Sequence, residues 1–169
     1  MVFADIQQFC IPLCSDSLSF LIDAAMECGQ YATQQLKMVH PQDPRITAQK
    51  NGICMILFER QEERANYIKT KTFTVFGKSQ FDRSPTGTGT SALAAILHSR
   101  GILTSQKQLI NYGISGIPFT VTIQENAKGQ VIPTIHSNAY LTGRGTLILE
   151  DTDPLQEGFS IKSENGTMI

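Results

Sequence analysis

The chain has no tryptophan, no cysteine pair spaced as CxxC, no basic cluster larger than a pair, and no apolar run beyond a few residues. Its clearest apolar run, residues 53–58, falls far short of the roughly 20 residues that cross a bilayer, which excludes a membrane-spanning helix. Lys and Arg number 14 against 15 Asp and Glu, a net charge of −1, so there is no electrostatic footprint for nucleic acid. The cysteines, Cys10, Cys14, Cys28 and Cys54, lie in the first third. His40, His98 and His136 do not add the second short-spaced ligand pair of a zinc site. The thiols therefore read as reduced and mostly buried, and none is the candidate nucleophile. Residues 1–14 lack a basic segment and carry Asp5, so they do not read as a secretory signal, and the expected compartment is the cytoplasm. There is no internal repeat and no low-complexity linker. What is present, 169 residues with 41% hydrophobic content, suffices for one core without disulfides or metal.

Periodicity predicts an α+β order. Val2, Ala4 and Ile6 sit among Asp5 and Gln7 with the period of a half-buried strand. From Ser15 and Asp16 the spacing turns helical, with Leu18, Leu21, Ile22, Ala25 and Met26 on one face. Ser15 is the expected cap and the helix reaches towards Leu36. Residues 40–44, with two prolines, form a loop. Residues 53–58 and 69–77 suit strands, and the charged link 59–66 reads as a solvated hairpin end. Residues 91–100 form a short helix apolar on almost every side, with Gly101 as its terminating glycine. Such a helix must be surrounded by protein, so it belongs at the centre of the domain. A further helix is expected over 104–112. Strands follow within 118–124, 130–143 and 145–151, with a turn at 126–129. The expected architecture is one lobe over 1–159, a mostly antiparallel sheet curled around a central apolar helix, with 160–169 as a polar tail.

One stretch carries chemistry. Residues 76–97, FGKSQFDRSPTGTGTSALAAIL, run from a strand end through a tight Gly/Thr loop into the apolar helix. Gly87 and Gly89 let backbone N–H groups converge where the helix adds its partial positive charge, which suits a carboxylate or phosphate. Asp82, five residues ahead of Gly87, can hold a cationic group beside that anion, and together they suit an amino-acid zwitterion. A plain strand-to-helix turn is the competing reading of two glycines. A phosphate loop of the form GxxxxGK[ST] is excluded because no Lys opens the helix. A serine nucleophile elbow is excluded because residues 113–116 do not match GxSxG.

The string DRSPTGTGTSA, residues 82–92, closely resembles the DRSPCGTGTSA signature of the proline racemase family, which includes hydroxyproline epimerases and trans-3-hydroxy-L-proline dehydratases. The His40-Pro41 step, Phe76-Gly77, AYLTG at 139–143 and DTDPLQEGF at 151–159 resemble further landmarks in family order. The resemblance implies a two-lobed, diaminopimelate-epimerase-like enzyme that needs no cofactor. Each lobe is a sheet curled around a helix, and proline or hydroxyproline lies in the cleft between lobes. A cysteine from each lobe would act on opposite faces of the substrate Cα, whose proton is acidified by helix N-termini at the carboxylate. Carried over by matching position, Asp82 binds the imino nitrogen. Gly87 and Thr88 bind the carboxylate through backbone N–H, and Phe76 is an apolar wall that could equally be an ordinary strand-end aromatic.

Two departures shape the expected function. Thr86 stands where the second-lobe catalytic cysteine would be, and its hydroxyl is too weak an acid or base for symmetric proton exchange at Cα. Threonine there resembles the dehydratase branch, in which the other lobe's cysteine removes the Cα proton and the 3-hydroxyl leaves as water. Thr86 would then orient the substrate or the departing hydroxyl. The other lobe's motif, resembling MCGHG, is absent; the nearest string, around Cys28, lies within the first helix and lacks the histidine. The chain is accordingly expected to be the C-terminal half of a longer enzyme, inactive without its first lobe. The alternatives are a proline or hydroxyproline racemase or epimerase relative, and a non-catalytic amino-acid-binding or interaction domain. The expected partners are a small-molecule substrate and either the missing lobe or a second copy.

Overall fold

The computed structural model describes residues 1–9, 11–40, 42–48, 52–77 and 79–158, and divides the chain into two compact units, Met1–Ser137 and Asn138–Ile169. Cys10, Pro41 and the expected tail 160–169 lie outside the described residues.

In the first unit, β1 (Val2–Asp5) and two 3-10 turns lead to α1 (Leu18–Gln35). Then come β2 (Met55–Glu63), β3 (Tyr67–Phe76), β4 (Gln80–Asp82), α2 (Gly87–Ser99), β5 (Gln108–Tyr112), β6 (Pro118–Glu125) and β7 (Val131–His136). The strands share one sheet in the order β1-β2-β3-β5-β6-β7, with β4 pairing the far end of β3. β1 with β2 and β3 with β5 run parallel; the other pairings are antiparallel.

Strand alternation on β3 separates two cores. Phe73 and Val75 join Leu57, Met55, Leu21 and Ala25 on the face covered by α1. Ile68, on the opposite parity, joins Leu93, Ala94, Leu97, Leu109, Val121 and Ile123 on the face covered by α2. Between them on the α2 face, Thr70, Thr72 and Thr74 form a column of buried hydroxyls. The sheet is thus polar where it underlies the start of α2 and apolar where it underlies the rest.

Several expectations change. Residues 108–112 form β5 and not the end of a helix: Leu109 and Asn111 are fully buried and alternate with half-buried Ile110 and Tyr112, a period of two that parallel pairing to β3 rewards. The charged link 59–66 is mostly strand, its side chains tied by Glu62 to Arg64 at 2.8 Å and to Lys69 at 2.9 Å, and the turn shrinks to residues 64–66. Ser15 opens a 3-10 turn instead of capping α1, whose cap position is Ser17. α2 begins at Gly87, so the Gly/Thr stretch is its first turn. Only one side of it is fully buried, with Ser91, Ala92, Ala95 and Ile96 half-exposed, so within the described residues it is a covering helix. Gly101 takes φ +70° just past its end, as the terminating glycine must. The turn at 126–129 is present, with the Asn126 carboxamide oxygen accepting from Lys128 and Gln130 N–H at 2.9 Å each.

The second unit, described over 138–158, holds short turns near its end, where the Asp153 carboxylate accepts from Leu155 N–H at 2.9 Å. The strand expected at 145–151 is not formed. A strand needs a neighbour for its backbone groups, and residues 137–150 join no ladder among the described residues.

The strand reading of 108–112 has a direct check. Leu109→Ala should cost about 3 kcal/mol of stability in denaturant titration, and Ile110→Thr under about 1 kcal/mol. Comparable losses at both positions would contradict β5.

Candidate functional site

The loop between β4 and α2 rests on a directional chain of buried hydrogen bonds. Thr70 Oγ1 donates to Asn111 Oδ1 at 2.9 Å. Asn111 Nδ2 then donates to Thr72 Oγ1 at 2.9 Å and to Thr90 Oγ1 at 2.8 Å. Both hydroxyls pass the bond on to the carbonyl of Pro85, Thr90 at 3.0 Å and Thr72 at 3.5 Å. A carbonyl can only accept, so the two threonines must receive from the carboxamide, which fixes its orientation and uses both of its N–H donors. Strands β3 and β5 and helix α2 thus converge on one backbone oxygen. Gly113 closes the same contact from the side: a Cβ there would lie 2.8 Å from the carbonyl oxygen of Arg83 and 2.9 Å from the nitrogen of Pro85. Only glycine admits the loop so near.

Above this floor the loop folds on itself. Asp82 Oδ1 accepts from Ser84 N–H at 2.8 Å, and Asp82 Oδ2 from Thr86 Oγ1 at 3.0 Å. Thr86 N–H donates to Ser84 Oγ at 3.1 Å, and the Thr86 carbonyl accepts the first helical bond, from Thr90 N–H at 2.8 Å. Thr86 holds φ 63° and ψ 118°, a conformation β-branched residues rarely adopt, so its neighbours hold it there. It occupies the cap position of α2, yet its side chain makes no capping bond. The amides of Gly87, Thr88 and Gly89 precede the first helical donor, Thr90 N–H, and Gly87 and Thr88 are exposed to solvent. Exposed helix-start amides beside a fixed carboxylate can hold an anion and a cation side by side.

Phe76 stands apart from this group. It ends β3, 40% exposed, and lines a cavity of about 680 Å³ with Met26, Gly29 and Gln30 of α1 and with Ile53 and Cys54 ahead of β2. Asp82, Thr86, Gly87 and Thr88 do not line that cavity. Sheet register nevertheless links the two: Thr74 pairs with Asp82 on one side and with Ile56 on the other, and Cys54 has the parity of Ile56. Burial pushes the half-buried Cys54 thiol up; the chain's amino terminus pulls it down, and the Asp82 carboxylate adds to the rise.

The expected site residues divide accordingly. Asp82 and Thr86 are in direct contact, Gly87 and Thr88 follow immediately, and Phe76 reaches the neighbourhood only through the strand end. Cys28, in α1, packs on the opposite face of the sheet against the Leu21 and Met55 core. Asn111 and Cys54 were not found by motif reading. Asn111 carried no signal while 104–112 read as helical; Cys54 shares strand parity with Ile56, which strand alternation alone could have suggested. The described cysteines, Cys14, Cys28 and Cys54, are unpaired and half-buried where mostly buried thiols were expected. The Ser17 hydroxyl, 3.4 Å away, draws the Cys14 thiol below its ordinary range. Among the described residues no three His, Cys, Asp or Glu side chains gather as metal ligands, and no helix is long and apolar enough to cross a membrane.

Two experiments probe this geometry. Asn111→Ala should cost about 3 kcal/mol, because it strands the Thr70 hydroxyl and opens a void. Thr74→Val should be neutral or stabilising, since the buried Thr74 hydroxyl finds no partner among the described residues. Equal losses for the two variants would refute the directional chain. In timed alkylation near pH 7.5, Cys14 should react ahead of Cys54, and Asp82→Asn should speed Cys54 by removing a charge that disfavours its thiolate. An unchanged Cys54 rate would mean that Asp82 does not act on it.

Comparison with known proteins gives a consistent picture. The family described as Proline racemase matches residues 1–160. A proline racemase of Clostridioides difficile is 33% identical over 146 residues, 84% of this chain and 42% of that protein. A trans-3-hydroxy-L-proline dehydratase of Homo sapiens is 30% identical over 167 residues, 95% of this chain and 46% of that protein. The crystal structure of a hydroxyproline epimerase from Agrobacterium vitis with bound trans-4-hydroxy-L-proline is similar with a TM-score of 0.69 at 30% identity, over 95% of this chain and 45% of that one. The chain thus spans about half the length of the relatives it matches.

Proposed function

The chain belongs to the proline racemase family, and from that membership we propose that it is the C-terminal lobe of a trans-3-hydroxy-L-proline dehydratase-like enzyme. The observation that carries the reading is Thr86: it stands at the catalytic-cysteine position of the signature, with its hydroxyl engaged by Asp82 at 3.0 Å. An aliphatic hydroxyl so engaged does not shuttle protons at Cα near neutral pH, whereas elimination needs only one base there.

In this reading the substrate carboxylate lies against the N–H groups of Gly87 and Thr88, and Asp82 receives the ring nitrogen. Phe76 bounds the ring on its apolar side. Concentrated at the carboxylate, the partial positive charge of α2 stabilises the negative charge that develops as the Cα–H bond breaks. A cysteine of the partner lobe takes that proton, and the C–H electron pair becomes the C2=C3 double bond as the C3–O bond breaks. The thiol just formed returns its proton to the departing hydroxyl, which leaves as water to give pyrroline-2-carboxylate. Thr86 orients the substrate or the departing hydroxyl. No cofactor takes part. The fold would be the diaminopimelate-epimerase-like lobe, with the half-exposed side of α2 enclosed in the complete, cytoplasmic enzyme. Either the other half of the relatives' length or a second copy of this chain would face the site, and only the first brings the missing base.

The test is turnover. This chain alone should convert neither trans-3-hydroxy-L-proline nor L- or D-proline. Supplied with the other lobe, it should dehydrate the hydroxyproline, and Thr86→Cys in that complete enzyme should introduce racemisation. Dehydration by the chain alone would overturn the half-site reading. Racemisation with Thr86 intact would favour a racemase or epimerase, and zwitterion binding without turnover in the complete protein would favour a binding domain.

A further inference from the structure

Thr86 is at the cap of α2, where a threonine oxygen ordinarily accepts from the second or third amide of the helix. Here it makes no such bond; its hydroxyl donates to Asp82 Oδ2 at 3.0 Å. Two consequences follow from one hydrogen. The first-turn amides keep their capacity for an external anion. The Asp82 carboxylate also gains a second tether, since its other oxygen already accepts from Ser84 N–H at 2.8 Å. With one donor on each oxygen, the carboxylate plane is set, and its remaining lone pairs are left for a cation. The backbone shows that this orientation is imposed: Thr86 sits at φ 63°, held by the Ser84 hydroxyl on its N–H at 3.1 Å and by Thr90 N–H on its carbonyl at 2.8 Å. A threonine hydroxyl has a single hydrogen, so what Thr86 turns to a ligand is lone pairs.

We infer that Thr86 is a positioning residue that acts through Asp82, aligning the carboxylate for the cationic nitrogen of a proline-like zwitterion and adding an acceptor beside it. This rests on the substrate class proposed above and assigns the hydroxyl to recognition of the amine. Thr86 therefore governs which ligands bind by their nitrogen and leaves the hold on the carboxylate to α2.

The test separates the two ends of the ligand. Affinity for L-proline and for tetrahydro-2-furoate, which has ring oxygen in place of the cationic nitrogen, is measured by NMR titration on this chain supplied with the other lobe, for the native chain, Thr86→Val and Thr86→Ser. The native chain should prefer proline. Thr86→Val should lose about tenfold of that preference while its hold on the furoate stays within about twofold, and Thr86→Ser, which keeps the hydroxyl, should restore the preference. A preference that survives in Thr86→Val overturns the inference and leaves the substrate class standing. Equal loss of both ligands in Thr86→Val reduces Thr86 to a structural role and overturns the inference as well. A native chain that binds both ligands equally, or binds neither, overturns the substrate class and the inference together.

Discussion

The site depends on where the Pro85 carbonyl is held. That oxygen is the common acceptor of Thr72 and Thr90, themselves oriented by Asn111, so one backbone atom fixes the exit of β4 and the start of α2 together. Hydrogen bonds in such a dry setting are stronger than in water, and each group is costly if left unpaired. The arrangement tolerates little slack: the three threonine and asparagine donors point one way, and reversing any of them leaves a donor facing a donor. The strained backbone of Thr86 is supported from this floor, and so is the carboxylate that it contacts.

The division of the sheet into an apolar and a hydroxyl-bearing region explains how one strand serves two purposes. β3 contributes Phe73 and Val75 to the core beneath α1 and, on its other face, Thr70 and Thr72 to the support of the loop. Threonine keeps the branched shape that suits a strand and adds the polar atom that the loop needs. The candidate site at the end of the sheet is therefore supported without interrupting the strand that carries it.

Much of this was legible in the sequence, for identifiable reasons. The signature at 82–92 marked the turn and the helix, and the long periodic segments 18–35 and 118–124 formed the expected elements. The element at 108–112 was misread because a segment this short does not separate the helical period from the strand period; parallel pairing with β3 and the burial of Asn111 decide it, and neither is local information. The start of α2 was set four residues late, since glycine and threonine are poor helix formers. Their place in the first turn comes from tertiary bonds through Thr90 and not from propensity. The contact between Thr86 and Asp82 could not be read at all, because it depends on a positive φ that no residue type at that position announces.

The three-residue length of β4 gives the two ends of the site different mechanical characters. Asp82 closes a strand paired to β3 through only three positions, whereas Gly87 opens a helix bolted to the sheet through Thr90 and Asn111. Thermal breathing should thus begin on the Asp82 side, while the Gly87 side stays rigid. Under the proposed reading, the side chain of Asp82 would keep its orientation through its two tethers while the short strand that carries it moves as a unit, so the scaffold would accept variation around the ring from a fixed carboxylate cradle.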